Sequence, residues 1–276
     1  MFTWRLYAPS PLGQIHLRAA CGAAPAARQP GAVMRRPLVC LHGTPLSGLE
    51  FELLQHELAV DRLVVCPDTP GFGGSERPVA MPDLAQYASA LGDALEHSGL
   101  LERTAQIDVL GYHTGAALAS ELARARPALV ARVVLAGIPL LTANQRSDMT
   151  ERYLKPSPIF TDPEYVANEF RTAVFGRPSG TAERRLALFA ERLRAGTVAW
   201  WAARAVFAYD LESTLRQLQQ PVALLLLQDM LAVNSRAAAT LLRNGTVIDL
   251  EARTSELPFD DQTVLIAANL REFLDA

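Results

Sequence analysis

The chain has 276 residues, half of them hydrophobic, and a net charge of -3 at pH 7. That length and apolar content suffice for one large α/β domain or two modest ones with a sizeable core. The charge is spread without acidic or basic blocks, so the expected partner is a small neutral or mildly charged molecule, with no nucleic acid and no membrane partner. The first residues, MFTWRLYAPSPLGQIHL, lack the charged start, apolar centre and small-residue cleavage site of a secretion signal, and no apolar run reaches the length of a membrane span; a cytoplasmic location is expected. Residues 13–20 alternate Ile15, Leu17 and Ala19 with Gln14, His16 and Arg18, the period of a half-buried strand. Residues 37–41 and 63–66 are continuous apolar runs and read as interior strands, with a helix predicted over 47–60 between them. Cys40 and Cys66 lie in these runs; with Cys21 they make an odd number without metal-ligand spacing and read as packing residues.

A helix is predicted over 82–98, where Leu84, Tyr87, Leu91 and Leu95 share a face, Pro82 lies near the start and Gly99 just past the end. A strand ending at Leu110, a helix from Thr114 to about Arg126 and a strand over 132–137 continue the alternation. This is the grammar of a parallel sheet with helices on both faces. Residues 142 to about 218 interrupt it: no run suits a buried strand, helices are predicted to start at Asp162-Pro163 and Thr181, and Leu186, Phe189 and Leu193 mark one helical face. Strand grammar returns at 221–227, followed by a helix at 235–242, a strand at 246–250 and a last helix with Ile266, Leu270, Phe273 and Leu274 on one face.

Between the strand ending at Leu110 and the next helix stands Gly111-Tyr112-His113-Thr114-Gly115, the spacing of a nucleophile elbow with histidine at its centre. With His42-Gly43-Thr44-Pro45 after one strand, the glycine-rich run from Asp68 to Ser75 after the next and the two closing strand-helix units, this chain resembles the α/β-hydrolase superfamily over nearly its whole length. The resemblance is to the capped subgroup, which includes epoxide hydrolases, haloalkane dehalogenases and carbon-carbon bond hydrolases. It implies a core of residues 1–141 and 219–276, a mostly parallel sheet with helices on both faces, and a helical cap over 142–218.

In that family the elbow carries Ser, Asp or Cys, an acid follows a later strand, and a histidine sits in the last loop. Here the elbow residue is His113 and no histidine follows it, so a Ser-His-Asp triad cannot be assembled in the family's order. The resemblance puts Asp229 at or near the acid position and Glu256, to within one or two residues, at the histidine position. Backbone N–H groups of Thr44 and Thr114 are expected to form an oxyanion hole, since Pro45 has none, and His42, Tyr112 and Trp200 are expected to line the substrate pocket. Asp68 reads as a stabiliser of its glycine-rich loop, and His16, His56 and His97 as strand-face or helix-surface residues.

The reading is hydrolase or lyase chemistry on a small carbonyl compound, with His113 as general base or nucleophile oriented by Asp229 or Glu256. A hydrolase-fold protein that binds a ligand without turnover, or docks a partner protein, is the alternative. No cofactor is expected, and no metal either: His113, Asp229 and Glu256 are acceptable ligand types without a local ligand motif. The oligomeric state stays open.

Overall fold

The continuous apolar runs become strands because both of their faces are covered. The computed structural model describes residues 1–22, 35–101, 106–154, 158–176 and 178–276. Within them lie β1 (Phe2–Ser10), β2 (Gly13–Cys21), β3 (Leu38–Leu41), β4 (Val64–Pro67), β5 (Ile107–Tyr112), β6 (Val130–Ala136), β7 (Val222–Leu226) and β8 (Gly245–Asp249). They form one sheet in the order β1-β2-β4-β3-β5-β6-β7-β8. On β3, Val39 and Leu41 enter one hydrophobic layer and Leu38 and Cys40 the other; on β6, Val133 and Leu135 oppose Val134 and Ala136. Alternate side chains therefore bury on opposite faces, and no polar alternation marks these strands in the sequence. β2 pairs antiparallel with β1 and β4, and all other pairings are parallel. β1 was not among the predicted strands. It closes on β2 as a hairpin and forms an edge with most of its residues exposed or half-buried, so it has no apolar run of its own.

The predicted helix over 47–60 divides into a 3₁₀ turn, Gly48–Phe51, and α1 (Glu52–Leu58). α2 (Leu84–His97) begins in a capping box: Gln86 N donates to the Asp83 carboxylate at 2.8 Å and Asp83 N to the Gln86 side chain at 2.9 Å. α3 (Thr114–Ala125) follows β5 directly. Between β6 and β7 stand α4 (Ala143–Leu154), α5 (Pro163–Phe170), a π-helical turn Arg171–Phe175, α6 (Ala182–Ala195), α7 (Trp201–Phe207) and α8 (Leu211–Gln217), with no strand among the described residues. Asp162 and Thr181 cap α5 and α6 as the sequence predicts. The packed face of α6 is turned from the predicted one: Leu188 and Phe189 are buried, while Leu186 is 48 % exposed. α9 (Ala232–Ala238) starts three residues before the expected 235, and α10 (Pro258–Asp261) and α11 (Thr263–Leu274) complete the chain.

α1 and α11 share a contact on one face of the sheet, while α2, α3 and α8 pack together on the other. This is the mostly parallel, helix-covered α/β-hydrolase fold that the resemblance implies. No helix among the described residues is long and apolar enough to cross a membrane. The loops following β3, β5, β6 and β7 leave the carboxyl ends of neighbouring parallel strands, the edge at which open α/β sheets build their ligand sites.

Candidate active site

The elbow forms around its histidine. His113 has φ 52° and ψ -116°, and it is the only non-glycine residue with positive φ among those described. A side chain held there is strained, and its neighbours enforce the turn. His113 N donates to Ala136 O at 3.0 Å and Ala116 N donates to His113 O at 2.9 Å, which ties the residue to β6 on one side and α3 on the other. Gly111 lets β5 and α3 meet and Gly115 lets α3 approach the end of β3: a methyl group on Gly111 would lie 2.2 Å from Gly115 O, and one on Gly115 1.9 Å from Leu41 O.

His113 points toward Asp229. Its Nε2 lies 3.6 Å from Asp229 Oδ2, longer than a hydrogen bond, and both atoms are buried without any hydrogen-bond partner. The other carboxylate oxygen, Oδ1, accepts from Leu231 N at 2.6 Å, so the Asp229 side chain is fixed by its own loop. The pair meets against Gly137, which follows β6 at φ 56°. A Cβ there would lie 2.1 Å from His113 Cδ2 and 2.9 Å from Asp229 Oδ2. Only glycine leaves the two side chains room to face each other. With Nε2 turned to the carboxylate, Nδ1 is the ring nitrogen left for a ligand.

A cavity of about 310 Å³ opens beside the elbow, lined among others by Thr44, Glu50, Tyr112, His113, Phe259 and Asp260, and by Leu188 and Phe189 of α6. Tyr112 stacks on His113 with ring centroids 4.0 Å apart and meets Phe259 edge-on. Glu256, an exposed residue, reaches the wall of the same cavity. The N–H of Thr44 has no acceptor among the described residues, and Thr114 opens α3, where the first amides have no partner within the helix.

Two expected pocket residues do not line this cavity. His42 is buried beneath it: its Nε2 accepts from Thr69 N at 2.9 Å and its Nδ1 faces Gly43 O at 3.0 Å. Burial pushes its pKa down, so it is a neutral ring that donates through Nδ1 and braces two loops. Trp200 packs edge-on against Tyr153 at 4.6 Å and lines a narrow side hollow that shares Pro45, Phe189 and Arg192 with the main cavity. His16, read from the sequence as a strand-face residue, is buried and paired with Asp68 at 2.8 Å.

The sequence reading passed over Glu50 and Gly137. Glu50 sits in the 3₁₀ turn after β3, and its Oε2 accepts from Gly43 N at 2.7 Å. Burial raises its pKa to about 8 against the opposing pull of the Gly43 N–H; nearby Asp260 adds to the rise and Arg184 offsets it. A glutamate eight residues past His42, set between Leu49 and Phe51, is the only hint the sequence contains. Asp260 is likewise pushed up by burial, against the pull of Arg184, which holds it through Nε and Nη2 at 3.0–3.1 Å.

Residues 38–268 match the profile of the alpha/beta hydrolase family. The chain belongs to that family. A stretch of 112 residues, 37% of the chain, is 36% identical to 2-hydroxymuconate semialdehyde hydrolase of Pseudomonas sp. strain CF600, and one of 99 residues, 36% of the chain, is 31% identical to soluble epoxide hydrolase of Corynebacterium sp. strain C12. These stretches cover 36% and 33% of the two relatives, about a third of their length. Among solved structures, a thermophilic esterase from Thermogutta terrifontis aligns over 99% of the chain and 98% of its own with TM-score 0.76 at 20% identity. An esterase from Rhodococcus sp. ECU1013 aligns over the same shares with TM-score 0.76 at 22% identity. Identities this low speak for the fold, which hosts many reactions. Among the described residues of this alpha/beta hydrolase, no three His, Cys, Asp or Glu side chains are grouped to hold a metal ion.

Proposed function

We propose that this chain is an enzyme of hydrolase or lyase type acting on a small carbonyl compound, with His113 as general base and Asp229 as the carboxylate that orients it. The observation that supports this best is the facing pair itself: His113 Nε2 and Asp229 Oδ2 are buried, lack other partners and stand 3.6 Å apart, and His113 lines a cavity. Buried polar atoms are almost always paired, so two unpaired ones that face each other call for an explanation, and a catalytic role is one. Closing the gap by a few tenths of an ångström makes Nε2–H donate to the carboxylate and fixes the tautomer whose Nδ1 lone pair takes a proton from water or from an acidic C–H. The N–H groups of Thr44 and Thr114 receive the carbonyl oxygen as it gains negative charge. The helical insertion over 142–218 serves as a cap that closes the cavity above them, and Glu256 borders the entrance.

Turnover of 4-nitrophenyl acetate, a δ-lactone and a β-diketone by wild type, His113→Gln and Asp229→Asn tests this. Activity on at least one compound is expected to fall about 10²–10⁴-fold in both variants, the range of lost general-base catalysis. Equal activity in wild type and His113→Gln overturns the proposal. A ligand-binding protein without turnover is the second reading, favoured by the absence of a hydrogen bond across the 3.6 Å gap. It predicts compounds that raise the melting temperature and leave the protein unchanged.

A further inference from the structure

The cavity wall carries an acid near the elbow, Glu50. Glu50 hangs from the turn after β3, and Gly43 lies between it and the elbow. A Cβ on Gly43 would meet His113 Cβ at 3.4 Å and Glu50 Oε2 at 3.6 Å, so the Glu50 carboxyl and the base of the His113 side chain flank a single residue. Of the Glu50 oxygens, Oε2 is engaged by Gly43 N at 2.7 Å, and Oε1 forms no hydrogen bond among the described residues. The other cavity acids differ. Asp260 is clamped by Arg184, and Glu256 is exposed at the wall.

We infer that Glu50 is the general acid of this site, delivering its proton through Oε1 to the departing atom of the substrate while His113 removes a proton on the other side. This rests on the reading of His113 as general base. For an ester the step balances as follows: water adds to the carbonyl carbon as His113 Nδ1 takes one of its protons, and the bond to the leaving oxygen breaks as the Glu50 proton passes to it. The acid and the alcohol depart, and the proton on His113 returns through water to the Glu50 carboxylate. Glu50 enters this cycle protonated at neutral pH because burial lifts its pKa to about 8. The charged groups around it are Asp260 on α10, Arg184 on α6 with its partner Glu52 on α1, the elbow's His113, and Glu256, Arg185 and Arg192 along the cavity. A proton donor matters most when the leaving oxygen is strongly basic. The inference thus assigns the site substrates with poor leaving groups, alkyl esters rather than aryl esters.

The test has two arms on the intact protein. Infrared difference spectra of wild type and Glu50→Gln are expected to show a neutral carboxylic acid band that titrates near pH 8 and is missing from the variant. Turnover of ethyl acetate and 4-nitrophenyl acetate is then compared: Glu50→Gln is expected to lower the first roughly 100-fold and the second by a few-fold at most, steepening the dependence on leaving group. Equal factors for the two esters, or the absence of the band, overturns the inference even where His113→Gln abolishes turnover and upholds the reading of the base. A wild type no faster than His113→Gln on both esters, with the band present, removes the reading of the base and this inference with it.

Discussion

Among the described residues, two histidine–aspartate pairs are built to opposite specifications. At the glycine-rich loop, His16 Nδ1 and Asp68 Oδ2 meet at 2.8 Å. Asp68 also accepts from Gly48 N at 2.8 Å and Gly74 N at 2.7 Å, and Ser75 Oγ donates to its carbonyl at 2.6 Å. At the elbow, His113 and Asp229 contain the same groups, but they stand 3.6 Å apart with the facing atoms unpaired. In the first pair both carboxylate oxygens are occupied, and the pair holds β2 to the loop after β4. In the second, bonding capacity is left over beside a cavity. The two pairs share their residue types and differ in unspent hydrogen-bonding capacity.

The largest test of that contrast is Asp68→Ala. Breaking a buried pair leaves a histidine and two amides without their acceptor, and about 3–5 kcal/mol of stability is expected to go, read as a lower urea midpoint at unchanged slope. Burial would raise the Asp68 carboxyl, yet His16 and the Gly74 N–H hold it below its ordinary 3.8. Its stabilising share is therefore complete above 3.8 and lost as pH falls through the lower, folded-state value. A loss under about 1 kcal/mol in Asp68→Ala would break the comparison, because the satisfied pair would then carry no structure.

Gly137→Ala comes next. It strains a position at φ 56° and drives a methyl group into His113, so roughly 1–3 kcal/mol of stability is expected to go, together with nearly all turnover. Full activity in a folded Gly137→Ala protein would show that the facing arrangement is dispensable. Asp229→Asn should sharpen the contrast most, since the amide keeps the oxygen that accepts from Leu231 N. Its stability is expected to stay within about 0.5 kcal/mol of wild type while turnover falls.

Glu50→Gln is read in the pH dependence of stability rather than at a single pH. Between the ordinary 4.5 and about 8 the folded protein keeps a proton that the unfolded chain has shed, so folding loses stability as pH rises through that window. The variant lacks this slope. Its melting temperature should therefore gain on wild type on passing from below 4.5 to above 8, by roughly 2–4 °C for each kcal/mol.

Most of the fold is legible in the sequence, because runs such as 37–41 and 221–227 are apolar throughout and each parallel strand takes its place from them. The elbow is legible too, since its five-residue spacing marks the turn and Gly111 is fixed by a close approach to Gly115, four residues on. What stays hidden depends on distant partners. His16 looks like the polar face of an alternating strand until Asp68, 52 residues on, arrives beside it. Glu50 looks like a solvated helix start until α6 and α10 cover it. Gly137 reads as the end of an apolar run, and its role emerges only when His113 and Asp229 converge on it from separate strands.

Arg184 has a consequence for how freely α6 can move. It belongs to α6, yet it grips Asp260 bidentately, Glu52 Oε2 at 3.1 Å and Leu49 O at 2.7 Å, all on the core. Moving α6 away from α1 and α10 means stripping a guanidinium of three partners at once. The wall that α6 lends to the chamber of about 310 Å³ is thereby riveted to the elements around α1 and α10 at three points.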